Sequence, residues 1–340
     1  MKKLRREKKK QKVKKSKAKR IFIYLSLLLL AFILVIGIYI VKQTYEAVDN
    51  SYDELDRPSN KSPLREQSVQ IGDDPLSILL IGVEDYSTGG ENGRADTLIV
   101  LTLNPGTEQV TMTSIPRDTR VEFSNSEANI YAGSHKINAS YTYGSMFNYG
   151  ANELTVKKVE ELLEIPIDEY VTVGFEGFRD IVNVLGGVTI DIKEPFWEEN
   201  IYAGGERIYF ESGRTKLDGE EALAFVRMRK RDVNAIYPRD ERQRQFIQSA
   251  VNQVISTKTI FKMGEISDVI GENLRTSLKV SEIYALQKLY ASLDSSEIKT
   301  SEIEGSNQRI NGTYYFIPEE QSLNEIILML KENLKINSVE

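Results

Sequence analysis

The sequence predicts an α/β protein, a layered α-β-α domain with a central mixed sheet, preceded by one N-terminal transmembrane helix. Three observations carry this prediction. Short continuous apolar runs mark strands buried on both faces. Amphipathic segments at helical spacing alternate with those runs. Ahead of both, residues 21–41 run for twenty-one positions without a charge.

Residues 1–20 come first, with thirteen basic side chains and one acid, Glu7; the rest of the chain holds 31 basic against 49 acidic residues, a net −18. The uncharged segment 21–41 follows at once. As a helix it is about 32 Å long, enough to cross a ~30 Å hydrocarbon core. A cleaved signal peptide has a shorter apolar region and a small-residue cleavage site, and neither is evident here. Lys and Arg ahead of a first span stay cytoplasmic, so everything after residue 42 is expected outside, in a single-pass type II arrangement at the cell membrane. A basic run also suits a nucleic-acid arm, but its place against a span makes topology the better explanation, and no nucleic-acid partner is expected.

Residues 42–74 are polar, with Pro58 and Pro63, and read as an extracellular stalk. From 75 to 340 the pattern is that of one folded domain. Apolar runs predict strands over 77–83, 96–103, 110–115, 170–174 and 188–192. Helical spacing predicts helices over 155–165, where Val156, Val159, Leu162 and Leu163 share a side, and over 178–185, 218–225, a long stretch from Pro238, 281–293 and 322–335. Thr313–Ile317 reads as a late strand.

There is no cysteine, which excludes disulfide scaffolds, Cys-type zinc sites and thiol nucleophiles. The lack of disulfides in an exported chain fits a Gram-positive bacterium. His135 is the single histidine, and no Gly-x-Ser-x-Gly elbow accompanies it. The glycines at 89, 90 and 93 lack the Gly-Lys-Ser/Thr ending of a P-loop.

Positive charge returns at 227–244, where seven basic residues meet three acidic ones. Clustered guanidinium groups repel unless something anionic lies among them. Arg227 and Arg229 share a face if the preceding helix ends near Phe225. Pro238 suits a first helical turn, placing Arg239 at a helix N-terminus that favours anions, with Arg242 and Gln243 three and four positions on. Two arginines from an extended segment and two from a helix start would enclose phosphate groups. A solvated basic face paired with Asp232, Asp240 and Glu241 is the alternative, and from this segment alone both readings stand. Arg117 follows a predicted strand, where open α/β sheets place their ligand sites. Glu84, Asp85 and Asp96 lie at neighbouring strand edges, as carboxylates sharing Mg2+ would, although a turn or cap role also suits an Asp there.

Four blocks in order resemble the LytR-CpsA-Psr family of cell-wall glycopolymer ligases. They are Ile81–Asp85 with Gly93–Thr97, Ser114–Asp118, Lys136–Ala139 with Tyr143-Gly144, and Ala222–Arg229 with Arg239–Gln243. They cover roughly residues 77–250, and the wording around Gly82–Tyr86 is similar to the TagU type within that family. The resemblance implies transfer of teichoic acid or a related anionic glycopolymer from an undecaprenyl diphosphate carrier to a muramic acid hydroxyl of peptidoglycan, forming a phosphodiester. It implies that Arg94, Arg117, Lys136, Arg227, Arg229, Arg239, Arg242 and Gln243 hold the diphosphate. Glu84, Asp85 and Asp96 would hold Mg2+ or Mn2+, with Asp96, Arg117 and Arg227 catalytic and Asp96 taking the hydroxyl proton. The carrier's apolar tail would need an internal groove, for which periodicity offers Phe175, Phe178, Ile181, Val184 and Leu185. The chain departs from the family pattern at Glu84, where Asp is common, and at Asn234–Pro238, where Gly-Asp is common. A membrane-bound transcriptional attenuator and a hydrolase of the same diphosphate donor are the rival functions.

Overall fold

A computed structural model describes residues 51–85, 92–255, 274–290 and 298–336. The sheet is built from the expected apolar runs. Strands β1 (Leu76–Glu84), β2 (Arg94–Asn104) and β3 (Gln109–Ser114) form an antiparallel meander. β1 also pairs in parallel with β6 (Glu169–Gly174), and the edges are closed by β11 (Leu274–Thr276) and β12 (Lys299–Glu302). The order β11-β6-β1-β2-β3-β12 makes a six-stranded mixed sheet.

Alternation along these strands feeds two faces. Leu79, Ile81, Val83, Leu98 and Val100 pack on one side with Val156, Val159 and Leu163 of helix α3 (Ala151–Leu163) and with Ile326 and Leu330 of α8 (Glu320–Asn333). Ile78, Ile99, Leu103 and Met112 pack on the other, with Ile247 of α6 (Arg239–Ile255) and Leu286 of α7 (Val280–Leu289). The layered α-β-α domain with a central mixed sheet is therefore observed. A second apolar cluster joins α4 (Phe175–Val184), α5 (Gly219–Arg227) and the start of α6 to β7 (Val188–Ile192), β8 (Phe196–Glu199), β9 (Arg207–Phe210) and β10 (Gly213–Leu217), with Phe196, Phe210 and Phe225 at its centre. Among the remaining elements, β4 (Arg120–Phe123) and β5 (Gly133–Lys136) make a hairpin, separated by the one-turn α1 (Asn125–Ala128) and followed by α2 (Ala139–Met146). A second hairpin is β13 (Gly305–Ile310) with β14 (Thr313–Pro318).

Two expectations change. The segment read as a stalk over 42–74 is, in its described part, docked on the domain: Leu55 is buried in the core, Tyr52 bridges to Thr276, and Arg65 grips Asp168. Leu55 and the arginines around it supply the apolar and ionic partners that a free stalk would lack. Helix α4 begins at Phe175, a turn earlier than Phe178. The expected basic tail and the expected span over 21–41 lie outside the described residues, and none of the described helices is long and apolar enough to cross a membrane.

Candidate active site: an arginine-lined cavity at the sheet's carboxyl edge

The carboxyl ends of β1 and β6, the start of β2 and the turn after β3 meet at one edge of the sheet. Here the register of β1 on β2 slips: Gly82 faces Thr97 but Val83 faces Ala95, leaving Asp96 as the extra residue of a β-bulge. Bulges re-aim a side chain out of the alternating pattern. This one lets Ala95 stay buried while the Asp96 carboxylate reaches a cavity. Gly93 makes the approach to β1 possible, since a Cβ there would lie 2.5 Å from Val83 Cγ1 and 2.8 Å from the Glu84 carbonyl.

Arg117 projects from a tight turn in which both the backbone N–H and the hydroxyl of Thr119 donate to the Pro116 carbonyl. Its guanidinium donates to Asp96 Oδ2. Asn138 ties the two together: its side-chain amide donates to Asp96 Oδ1 at 3.2 Å, its N–H to the Arg117 carbonyl at 3.1 Å, and its own carbonyl accepts from Ala95. Sequence reasoning quoted Asn138 within a block but gave it no part in the site. Its signal is the run Ile137-Asn138-Ala139 between a strand and a helix, which places a short amide at the turn.

Helix α5 ends at Arg227, and Met228 continues in extended conformation. The chain therefore leaves the helix two residues later than expected, and both Arg227 and Arg229 still line the cavity. Arg227 lies over the Phe175 ring, 5.7 Å from its centre. Arg239 opens α6, where the helix dipole adds to its positive field. Burial pulls the Arg239 pKa down; the Asp96 carboxylate, 4.0 Å away, works against that, while Arg117 and Arg227 add to the repulsion.

The cavity encloses ≈ 420 Å³, and seven cationic side chains on its wall face four carboxylates. It gathers Arg94, Arg117, Arg227, Arg229 and Arg239 with Glu84 and Asp96. Sequence reasoning missed Glu198 and Glu199 of β8 and Ile201, and counted Lys230 and Arg231 in the basic segment without giving them a place in the site. Arg231 lies 3.4 Å from the centre of the Trp197 ring, whose neighbour Arg207 lies 4.0 Å from it. The chain's one tryptophan amid acidic residues was the available signal.

Four expected site residues do not line the cavity. Arg242 is wholly buried, donating to the carbonyls of Phe225, Met228 and Tyr237 and to Asn234 Oδ1. It clamps the α5–α6 connection, and burial lowers its pKa to about 10. Gln243 donates to Thr97 Oγ1 at 2.9 Å and to the Val226 carbonyl, pinning α6 to β2 and α5. Lys136 is paired with Asp118 at 3.0 Å. The Asp85 carboxylate sits against Gly174 and the first N–H of α4, and burial raises its pKa. The departure at Asn234–Pro238 supports the Arg242 clamp through Asn234 and Tyr237, with Ile236 70 % exposed.

Of the five residues offered for an apolar groove, Phe175 lines the cavity and Phe178 packs on Phe246 with ring centres 4.8 Å apart. Among the described residues no group of three or more carboxylates or histidines stands ready to hold a metal. Glu84 and Asp96, on the same wall, could share a cation that brings its remaining oxygen ligands with it.

The LytR_cpsA_psr family model matches residues 38–332. The chain belongs to this family. The polyisoprenyl-teichoic acid–peptidoglycan teichoic acid transferase TagV of Bacillus subtilis (strain 168) is 41% identical over 308 residues, spanning 89% of this chain and 76% of that protein. The TagU transferase of Oceanobacillus iheyensis is 36% identical, over 85% of this chain and 86% of its own. Among solved structures, B. subtilis TagV aligns with a TM-score of 0.67 at 40% identity, covering 79% of this chain and all of that one. TagT bound to LI-WTA aligns with a TM-score of 0.66 at 28% identity, covering 84% of this chain and all of its own.

Proposed function

We propose that this LytR_cpsA_psr protein is a membrane-anchored phosphotransferase. It joins teichoic acid or a related anionic glycopolymer, carried on undecaprenyl diphosphate, to a muramic acid hydroxyl of peptidoglycan. The observation that carries the reading is the cavity lined by six arginines with Asp96 among them, in a chain whose relatives are named for this transfer. The N-terminal basic tail and residues 21–41 serve as cytoplasmic tail and signal anchor, holding the domain outside, where both substrates meet.

The chemistry follows from charge. Phosphoryl transfer needs its phosphate oxygens neutralised and its reacting atoms aligned, and fixed guanidinium groups do both. Arg94, Arg227, Arg229 and Arg239 bind the diphosphate. Arg117, oriented by Asp96, faces the phosphorus under attack. The peptidoglycan hydroxyl forms a new P–O bond to the polymer-linked phosphorus, and the bond to the bridging oxygen breaks. The carrier departs as its monophosphate, and the hydroxyl proton passes to a carboxylate of the strand wall, for which Asp96 is the first candidate. Mg2+ or Mn2+ held by Glu84 and Asp96 with the diphosphate would add neutralising charge.

The test uses the full-length protein in detergent, with a lipid-diphosphate-linked polymer and teichoic-acid-free peptidoglycan. Arg117→Ala and Arg227→Ala are each expected to cut transfer by roughly 100-fold or more. Full activity in both variants would sink the assignment. Carrier release at the same rate without peptidoglycan would mark a hydrolase instead.

A further inference from the structure

Beside the arginine cavity lies an aromatic ledge that the transfer reaction, as derived above, leaves unused. Tyr131 ends the turn before β5 and stacks on Tyr143 of α2, with ring centres 5.8 Å apart and planes 2° from parallel. Phe147 tilts against both rings. Beneath them, Phe123 and His135 meet Tyr143 edge-on, and the Tyr143 hydroxyl lies 3.2 Å from His135 Nδ1. The stack is therefore backed by protein on its inner side. On its outer side Tyr131 is 45% exposed, its chain neighbour Ile130 80%, and Met146 at the end of α2 45%. An exposed apolar cluster beside a reactive cavity marks an interaction site more often than a single exposed side chain does.

Its position is set by α2. The helix starts one residue after Asn138, whose amide holds Asp96, and its eight residues carry the chain about 12 Å away to Met146. Thr142 donates to the Gly93 carbonyl at 2.7 Å and Ser145 to Asn92 at 2.9 Å, so the helix is fastened to the start of β2, where Arg94 lies. Burial raises the Tyr143 phenol's pKa, and the Arg94 charge acts against that rise across the short gap.

The charge balance identifies the occupant. The lysines nearest the stack are already held by carboxylates: Lys136 by Asp118, and Lys158, which lies 5.0 Å from the Phe123 ring centre, with its neighbour Lys157 by Glu127. Arg94 stands at the cavity end of the ledge, so a polyanionic teichoic chain or an anionic lipid surface would find its cations in the cavity and not along the stack. What suits the ledge is an uncharged polymer with apolar faces and polar edges. A glycan strand is such a polymer: its sugar rings present C–H faces to aromatic rings, and their hydroxyl and acetamido edges can meet the exposed amides of Asn129 and Asn92.

We propose that this ledge is the acceptor subsite, on which a peptidoglycan glycan strand lies across Tyr131 and Met146 with one sugar hydroxyl reaching toward Asp96 and Arg117. The inference rests on the transferase reading given above and names where its second substrate binds.

The experiment uses the full-length protein in detergent with two probes: teichoic-acid-free sacculi and a soluble β-1,4-linked N-acetylglucosamine oligosaccharide. Tyr131→Ala is expected to weaken sedimentation with sacculi and oligosaccharide binding by roughly 3- to 10-fold, the worth of one lost stacking contact. The acceptor concentration at half-maximal transfer should rise by the same factor, with the rate at saturating acceptor and the half-saturating donor concentration unchanged. Tyr131→Phe keeps the ring and should behave as the unaltered protein. Wild-type binding of sacculi by Tyr131→Ala would overturn the proposal. So would a change in donor half-saturation or in sedimentation with anionic vesicles in its place. If the unaltered protein moves no polymer to sacculi, the transferase reading fails, and the sedimentation arm still decides whether the ledge binds glycan.

Discussion

The two ends of the central sheet use arginine in opposite ways. At the amino ends of β1 and β6 each guanidinium is answered by protein. Arg65 donates to both oxygens of Asp168, at 2.9 and 2.6 Å, and to the Pro75 carbonyl at 3.0 Å. Arg57 donates to the Ile167 carbonyl at 2.7 Å and lies 3.2 Å from Glu160. At the carboxyl ends six arginines line a cavity; Arg231 is answered by Glu198 and Glu199, and Asp96 is within 4.0 Å of two of the other five. Bidentate pairing consumes the donors of a guanidinium fork, whereas converging forks with few acceptors demand an external anion. Donor satisfaction thus separates arginines that staple the chain from the arginines to which the proposed function assigns a ligand.

Arg242 gives the sharpest test, because its sequence neighbourhood groups it with the ligand arginines while its contacts place it with the staples. Arg242→Met should leave the carbonyls of Phe225, Met228 and Tyr237 without their donor in a buried site. The expected loss is about 3 kcal/mol of stability, read as a lowered denaturant midpoint. Unchanged stability together with lost diphosphate affinity would return Arg242 to the cavity group.

This residue also shows where sequence reasoning stops. Arg239 and Arg242 are three apart and read as neighbours on one helix face, yet three steps of about 100° leave them some 60° apart around the axis. That angle is enough to send one side chain into the cavity and the other into the α5–α6 junction. The core strands β1–β3 were legible because their apolar runs have one physical explanation, burial on both faces. The four-residue strands β4, β5, β8 and β9 were not, since charged, short segments pair only in the context of their partners. The bulge that presents Asp96 depends on a slip in pairing between two chains of residues, and a single strand's sequence carries no trace of it. Glu84 and Asp85 look alike in sequence, but adjacent strand residues point to opposite faces, so one lines the cavity and the other meets α4.

A paired substitution breaks or upholds the comparison directly. Arg65→Ala should cost about 2 kcal/mol by removing the cation from Asp168, which keeps only the Ser77 donors of β1. Arg229→Ala should change stability by less than about 0.5 kcal/mol, as expected for an exposed residue, while weakening binding of inorganic diphosphate roughly tenfold. The measurements are thermal unfolding and calorimetric titration on the same two proteins. Equal destabilisation by both variants would dissolve the distinction.

The smallest effect belongs to a carboxylate at the amino end, and it is visible only through pH. Glu169 lies in a ≈ 170 Å³ cavity with Glu54, Asp168, Glu282, Arg57, Lys61, Lys279 and Ser277. Burial raises its pKa from 4.5 to about 7; Glu282 and Asp168 add to the rise, while Ser277 and Arg57 oppose it. The folded pKa exceeds the unfolded one, so this group's contribution to stability is complete below pH 4.5 and is lost as pH climbs through about 7. Glu169→Gln removes the charge and with it the loss. The variant should match the unaltered protein at pH 4.5 and exceed it by about 1–2 kcal/mol at pH 8. A stability difference that stays constant from pH 4.5 to 8 would show that Glu169 ionises as freely in the folded protein as in the unfolded chain. The docked segment 51–74 would then be held by Arg57 and Arg65 with no opposing charge to overcome.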